Sequence, residues 1–221
     1  LPVCHLPFAM PAPDDQRAMA RFARSLSLGL DAAALLQIPT AVIHPIVRHS
    51  SRSDRDRWFS HNVAYLSLLR KKANRLGITL ALENMTGIPY PNHPTETVYG
   101  CCAADIRALA DKLDVGVCWD TGHAHLTGLA QSPELITLSG RLRMLHLHDN
   151  DGRTDSHLLP FEGTVDWEDV ARGLRALGFT SAPWRCINLE IKSSHLPADP
   201  DLRRAHAQKV LAAARRLAGM L

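Results

Sequence analysis

Short apolar runs alternate along the whole chain with longer stretches in which apolar residues recur at helical spacing. The runs have the length of buried β-strands, and they predict six strands: VCHLPF, TAVIH, ITLALE, VGVCWD, LRMLHLHD and CINLEI. The stretches between them predict six helices, over residues 14–37, 58–76, 95–113, 133–138, 167–177 and 199–217. Strands that alternate with helices in this way are typical of a parallel α/β fold.

Each predicted strand ends on a side chain that can bind a metal or move a proton. These side chains are His5, His44, Glu83, Asp120, His146 and Glu190. The steps between successive ones are 39, 39, 37, 26 and 44 residues. A parallel barrel places all its strand ends on one face, where barrel enzymes keep their chemistry. We therefore expect six residues that are distant in sequence to converge on one rim.

The number of strands is smaller than a closed barrel requires. Closure of a (β/α)8 TIM barrel needs eight strands, and an open parallel sheet would leave two bare edges. The expected fold is therefore a (β/α)8 TIM barrel without its first two βα units, as a single domain over residues 1–221. The chain begins with Leu, and we expect a further N-terminal segment to supply the two strands. Bare edges would also favour a homo-oligomer.

Composition narrows the functional classes. The chain has 221 residues, 46% of them hydrophobic and 21% charged, which is sufficient for one large core. Its formal charge of +3 permits an anionic substrate but gives little support for a nucleic-acid surface. No apolar run approaches the roughly 18 residues of a membrane helix, and no signal peptide is visible. The five cysteines form no C-x-x-C pair and are expected to be reduced, so a cytoplasmic protein is expected.

Four motifs carry a family resemblance. In chain order they are LALENMTG, GVCWDTGHAH, MLHLHDNDGRTDSHLLPFEGTVDW and NLEI. Together they resemble the xylose isomerase-like TIM barrel superfamily, which contains sugar and sugar-phosphate isomerases and epimerases, and also AP endonucleases of the endonuclease IV type. The resemblance implies a divalent-metal site formed by Glu83, Asp120, His146 and Glu190. The nuclease branch would add five matching positions and complete a three-metal site: His5, His44, His123, Asp155 and His157.

The residue types of the first four positions support a metal site independently. Two Glu, one Asp and one His form an oxygen-rich set suited to Mn²⁺, Mg²⁺ or Co²⁺. The additional histidines would favour Zn²⁺, and Asp155 with His157 would close a separate site on a loop.

Structural alternatives exist at each position. Asp120 could cap the turn that follows it, His146 could be a core histidine, and Asp155 and His157 could belong to an ordinary polar loop. His5, His44 and His123 could bond substrate or backbone without touching metal. The remaining histidines are expected to face solvent or to pack: His49, His61, His93, His125, His148, His195 and His206.

The leading functional hypothesis is a metal-dependent isomerase or epimerase of a sugar or sugar phosphate. Glu83 and Glu190 would flank the substrate carbon and pass a proton through an enediolate, one as base and the other as acid. The alternative is an endonuclease IV-like abasic-site phosphodiesterase with a multi-zinc site, favoured by the nine matching positions. A duplex-binding nuclease would need phosphate contacts and apolar wedges on its loops, which the sequence does not clearly show. A barrel that binds without catalysis is the third class.

Overall fold

The computed structural model describes residues 1–9, 11–12, 14–46, 49–50, 54–87, 97–182, 186–192, 196 and 198–221. Its strands, in chain order, are β1 (Cys4–His5), β2 (Thr40–Ile43), β3 (His49–Ser50), β4 (Thr79–Glu83), β5 (Thr97–Val98), β6 (Gly116–Asp120), β7 (Leu142–Leu147) and β8 (Ile187–Leu189). Six of these form one sheet in the order β1-β2-β4-β6-β7-β8, with every neighbouring pair parallel. The predicted fold class is confirmed: the six parallel strands curl into an incomplete barrel.

Helices connect the strands of this sheet. They are α1 (Gln16–Leu35), α2 (Arg55–Arg75), α3 (Ala103–Leu113), α4 (Thr121–Leu126), α5 (Gln131–Thr137), α6 (Trp167–Ala176) and α7 (Pro200–Met220). Aspartates cap the starts of several of them, because a short carboxylate can accept the free backbone N–H groups of the first turn. Asp15 accepts from Ala18 at α1, and Asp199 accepts from Asp201 at α7.

The inner face of the sheet explains why the strand ends meet. A separate buried cluster on this face contains Val42, Ala81, Cys118 and Met144, one residue from each of four neighbouring strands. Side chains two residues apart on a strand point to the same face. His44, Glu83, Asp120 and His146 each follow one of these four by two positions, so all four continue the inner face upward to the rim.

The largest differences from the predicted elements are one helix start and one additional helix. The helix expected at 95–113 begins only at Ala103, because Thr97 and Val98 pair with β3 in a small antiparallel ribbon and Gly100 has a φ of +86°. The short helix α4 was not predicted; it follows Asp120 directly. The loop expected over 48–57 falls partly on residues 48 and 51–53, outside the described part of the chain.

The two outer strands of the described sheet are β1 and β8, and Ile187 on β8 is 37% exposed. Among the described helices, none combines the length and the hydropathy needed to span a bilayer.

The packing of α1 gives a direct test of the fold. Leu30 is fully buried in the main core, whereas Leu28 on the same helix is 57% exposed. Leu30→Ala should lower the free energy of unfolding by about 2–5 kcal/mol, because it leaves a cavity. The matched variant Leu28→Ala should change it by less than about 0.5 kcal/mol. Urea unfolding measures both, and equal effects would contradict the placement of α1.

Candidate functional site

The six strand-end residues lie together at one rim of the sheet. His5, Glu83 and Asp120 are the last residues of β1, β4 and β6. His44 and Glu190 directly follow β2 and β8, and His146 is the penultimate residue of β7.

Glu83 is at the centre of this group. Its side chain is 1% exposed. Its Oε2 lies 3.1 Å from Nε2 of His5 and 3.2 Å from Nε2 of His44, and its Oε1 lies 3.0 Å from Nδ1 of His146. Burial by itself would raise the pKa of Glu83, but hydrogen bonds to His146, His44 and His5 hold that pKa well below its usual value. Glu83 is therefore a buried carboxylate matched by imidazoles from three other strands.

A second carboxylate, that of Glu190, also contacts His146. Oε2 of Glu190 lies 3.0 Å from the same Nδ1 atom that contacts Glu83. Burial would lower the pKa of His146, yet Cys118, Glu190 and Glu83 together raise it strongly. The side chain of Glu190 is 33% exposed, so this carboxylate can be reached from outside whereas Glu83 is covered.

Asp120 uses its two carboxylate oxygens differently. Oδ1 accepts the backbone N–H of His123 at 2.7 Å and so caps α4. Oδ2 is buried and has no hydrogen-bond partner among the described residues. The capping alternative is thus correct for one oxygen only. A buried, unpartnered carboxylate oxygen is costly, and an oxygen of this kind is a suitable ligand for a cation.

Asn84 fixes the backbone around Asp120. Its side-chain amide donates to the carbonyl of Asp120 at 3.0 Å, and its side-chain oxygen accepts the backbone N–H of Asp120 at 2.7 Å. Its own backbone carbonyl contacts Nδ1 of His123 at 2.8 Å. Asn84 therefore ties the end of β4 to the end of β6 and to the start of α4.

Three further histidines present Nε2 toward carboxylates. The Nδ1–H groups of His5, His123 and His157 donate to backbone carbonyls of Leu6 at 2.6 Å, Asn84 at 2.8 Å and Glu190 at 2.7 Å. In the neutral ring this leaves the lone pair on Nε2. Such a second hydrogen bond is the usual companion of a metal-binding histidine.

Asp155 and His157 lie beside this rim rather than on a remote loop. Nε2 of His157 is 3.3 Å from Oδ2 of Asp155, and Nε2 of His123 is 3.8 Å from the same oxygen. Burial would raise the pKa of Asp155, but His157, His123 and His148 lower it to about 2. His157 adopts a left-handed backbone conformation with φ of +48°, an uncommon state for a residue other than glycine.

Sequence reasoning missed His148. Its ring is fully buried, its Nε2 lies 3.1 Å from Oδ1 of Asp120, and it stacks on the ring of His157 with centroids 4.0 Å apart. The signal was available, since His146 and His148 are two residues apart and so share a face. Of the other histidines, His125 instead contacts Thr164, and His93 and His195 lie outside the described residues.

A cavity of about 570 Å³ opens above these groups. His5, His44, Glu83 and Glu190 line its floor, and Phe8, which is 70% exposed, stands beside them. The volume falls in the range typical of small-molecule sites.

Several sets of ligand atoms are close enough together to share a cation. Among the described residues, atoms within 4.8 Å of one another occur in five sets: Glu83, Asp120, His146 and Glu190; His5, His44 and Glu83; Glu83, Cys118 and His146; Asp120, His123 and His148; and His148, Asp155 and His157. The first set is oxygen-rich, and three of the others contain two histidines each.

Comparison with known families agrees with this architecture. The sequence profile described as "Xylose isomerase-like TIM barrel" matches residues 1–214. The chain belongs to this family.

The chain spans less than two thirds of two curated relatives. An uncharacterized protein of Sinorhizobium fredii is 35% identical over 95 residues, which are 42% of this chain and 29% of the relative. An uncharacterized protein of Methanocaldococcus jannaschii is 25% identical over 185 residues, 80% of this chain and 61% of the relative.

Solved structures share the fold at low sequence identity. A D-tagatose 3-epimerase-like protein superposes with a TM-score of 0.73 at 20% identity, covering 98% of this chain and 78% of the other. D-psicose 3-epimerase gives 0.68 at 20% identity, covering 97% and 78%. The IolI protein with a bound zinc atom gives 0.69 at 17% identity, covering 97% and 73%.

Asp149 organises the loop that carries Asp155 and His157. Its buried carboxylate accepts the backbone N–H groups of Phe161 at 2.9 Å and Val165 at 3.0 Å, and the indole N–H of Trp167 at 2.8 Å. A Cβ at Gly163 would lie 2.4 Å from this carboxylate, so only glycine lets the loop close around it.

Asp149→Ala should therefore destabilise the protein by more than about 2 kcal/mol, because it leaves several buried donors without an acceptor. The exposed Asp151, which also accepts backbone N–H groups in this loop, provides the control. Asp151→Ala should change the free energy of unfolding far less, because water can replace the lost acceptor at this exposed position. Urea unfolding of both variants decides the point, and similar losses would show that Asp149 has no special part in the loop.

Proposed function

We propose that the protein is a divalent-metal-dependent isomerase or epimerase of a sugar or sugar phosphate. The observation that carries the proposal is that two carboxylates, Glu83 and Glu190, both line one cavity and both contact the same nitrogen of His146. Two acids at one small-molecule site suit a reaction that removes a proton at one point and returns it at another.

The cation would be held by Glu83, Asp120, His146 and Glu190. The unpartnered Oδ2 of Asp120 supports this assignment, since it is a buried acceptor for which the described residues provide no donor. Three carboxylates and one imidazole suit Mn²⁺, Mg²⁺ or Co²⁺, and the neighbouring histidines make Zn²⁺ a further candidate.

A bound divalent cation would supply Lewis-acid polarisation of a substrate carbonyl and its adjacent hydroxyl. Glu190 and Glu83 would then carry the proton, one removing it from the carbon next to the carbonyl and the other returning it to the enediolate.

The structural neighbours support this class by analogy. Two of those described above are named as a sugar 3-epimerase or a protein like one, and another holds zinc. We further propose one domain over residues 1–221, a small-molecule sugar as partner and a homo-oligomer formed through uncovered sheet edges. The five cysteines are free thiols, which supports the cytoplasm as the place of action.

An endonuclease IV-like abasic-site phosphodiesterase is the second candidate. It is favoured by the close approach of His5 and His44 to Glu83 and by the cluster of Asp155 with His123 and His157. The nine positions that the resemblance assigns to a three-metal site thus lie close together, which supports this candidate. The count of bound ions separates the two reactions: one ion per chain favours the isomerase, and two or three including zinc favour the nuclease.

Cation binding should release protons. Burial would lower the pKa of His123, but Asp120, Glu83 and Asp155 raise it to about 9, and the pKa of His146 is raised as well. Both imidazoles are therefore protonated at pH 7, and a divalent charge placed among them must displace a proton. Titration calorimetry with Mn²⁺ in buffers of different ionisation enthalpy should show at least one proton released per ion.

The raised pKa values of His123 and His146 determine how metal affinity changes with pH. Protons compete with the ion below the folded-state pKa, so apparent affinity should increase as the pH rises from 6 toward 9. The variant His123→Gln should release fewer protons. Binding that is independent of pH over this range would contradict the protonation assigned to His123 and His146.

Loss of either acid should stop proton transfer. Glu190→Gln and Glu83→Gln should each lower the rate of ²H incorporation from D₂O, next to the carbonyl of D-fructose or of a panel of sugar phosphates, by at least about 100-fold. Glu168→Gln, in the first turn of α6, should leave the rate unchanged. Mass spectrometry measures the exchange, after metal analysis of each variant.

The nuclease alternative is tested by assaying the same protein preparation for cleavage of abasic DNA. A wild-type protein that nicks abasic DNA and exchanges no sugar proton would exclude the isomerase. Unchanged exchange in Glu190→Gln would remove Glu190 from the reaction.

A further inference from the structure

His148 is a buried titratable group that the proposed reaction does not use. Its side chain is 0% exposed, and its Nε2 lies 3.1 Å from Oδ1 of Asp120 and 3.9 Å from Oδ1 of Asp155. These are ion-pair distances, and neither ring nitrogen of His148 forms a hydrogen bond with a described residue. A fully buried imidazole in this situation requires an explanation.

The orientation of the ring argues against a shared metal ion with His157. The two rings stack with their planes 11° apart and their centroids separated by 4.0 Å. An imidazole binds a metal through a lone pair that lies in the plane of its ring. An ion in the plane of His157 would lie well outside the plane of His148, so the two histidines cannot both ligate it.

The surroundings hold the ring in one position. His157 covers one face, and the ring of His123 meets it edge-on at 5.8 Å. A Cβ at Gly122 would lie only 2.0 Å from Cε1 of His148, so the glycine provides the space that the ring occupies. The titratable groups that face His148 are Asp120, Asp155, His123 and His157.

The carboxylate of Asp120 requires a group that fixes its orientation. Its Oδ1 already accepts the backbone N–H of His123, while its Oδ2 is the unpartnered oxygen assigned to the cation. A carboxylate that ligates through one oxygen is commonly oriented by hydrogen bonds to the other. Nε2 of His148 is the side-chain nitrogen closest to Oδ1 among the contacts described here.

We propose that His148 is a positioning residue: when a cation is bound, its Nε2–H, already 3.1 Å from Oδ1 of Asp120, donates to that oxygen and holds Oδ2 toward the metal ion. The proposal rests on the metal site of the proposed function. It assigns no ligand and no proton-transfer step to His148. It predicts that His148 controls the affinity of the central site without changing the number of ions bound.

Three variants separate the donor from the ring. His148→Gln retains an N–H near the position of Nε2 but loses the stacked ring. His148→Phe retains the ring and loses the donor, and His148→Asn is a smaller polar variant whose amide is too short to reach Asp120. His125→Gln and His125→Phe are matched controls, since the ring of His125 hydrogen-bonds to Thr164 rather than to Asp120 or Asp155.

Cobalt binding is the readout, because Co²⁺ reports both affinity and coordination through its visible spectrum. In a titration of the full chain, His148→Phe and His148→Asn should weaken Co²⁺ binding 10- to 100-fold and change the spectrum. His148→Gln should restore most of the affinity, and both His125 variants should match the wild type. Thermal unfolding of each variant without metal establishes that it is folded.

The opposite patterns would overturn the proposal. If His148→Phe binds like the wild type while His148→Gln is impaired, the ring acts by stacking alone. If any of these variants loses a whole equivalent of Co²⁺, His148 is a ligand. Equal Co²⁺ binding by the wild type and His148→Phe would overturn the role proposed for His148 alone. A wild-type protein that binds no Co²⁺ would instead overturn the metal site of the proposed function.

Discussion

The buried carboxylate of Glu83 imposes the strongest constraint on this molecule. It contacts His5, His44 and His146, which come from three other strands. An uncompensated carboxylate at this depth would cost several kcal/mol, and removing one partner of a buried pair is strongly destabilising. The parallel register must therefore hold four strand ends within hydrogen-bond distance of one another. The apolar layer two residues below, from Val42 to Met144, provides that support.

The sequence predicts this rim well, because one rule connects pattern to position. Polar residues that end apolar strands, two residues beyond an inward-facing apolar residue, must face inward too. The rule correctly brings together His5, His44, Glu83, Asp120 and His146, each of which follows an apolar residue by two positions. It does not cover Glu190, which follows the polar Asn188 and still reaches His146. It fails where the interaction is local or lies between distant loops. The ribbon of β3 with β5 joins residues about 48 apart, and neither two-residue strand has a pattern of its own.

His148 illustrates a different limit. Alternation along β7 places it on the same face as His146, but strand propensity cannot tell whether a histidine at that point faces solvent, core or site. The deciding facts are the missing side chain at Gly122 and the ring of His157, which is brought close by a loop anchored on Asp149. These are tertiary contacts, and no local pattern in the sequence encodes them.

Several residues of the site have a structural role and a candidate functional role at the same time. Asp120 caps a helix with one oxygen and leaves the other free, and the bonds of His123 and His157 to backbone carbonyls select the tautomer that exposes Nε2. His5 and His44 bring their Nε2 atoms to 3.1 Å, near the roughly 3.3 Å expected between two nitrogens that share one tetrahedral ion. The same pair could equally bind hydroxyls of a sugar held over Glu83 and Glu190. The choice between isomerase and nuclease chemistry thus depends on what occupies the space between His5 and His44, since the central carboxylates suit both.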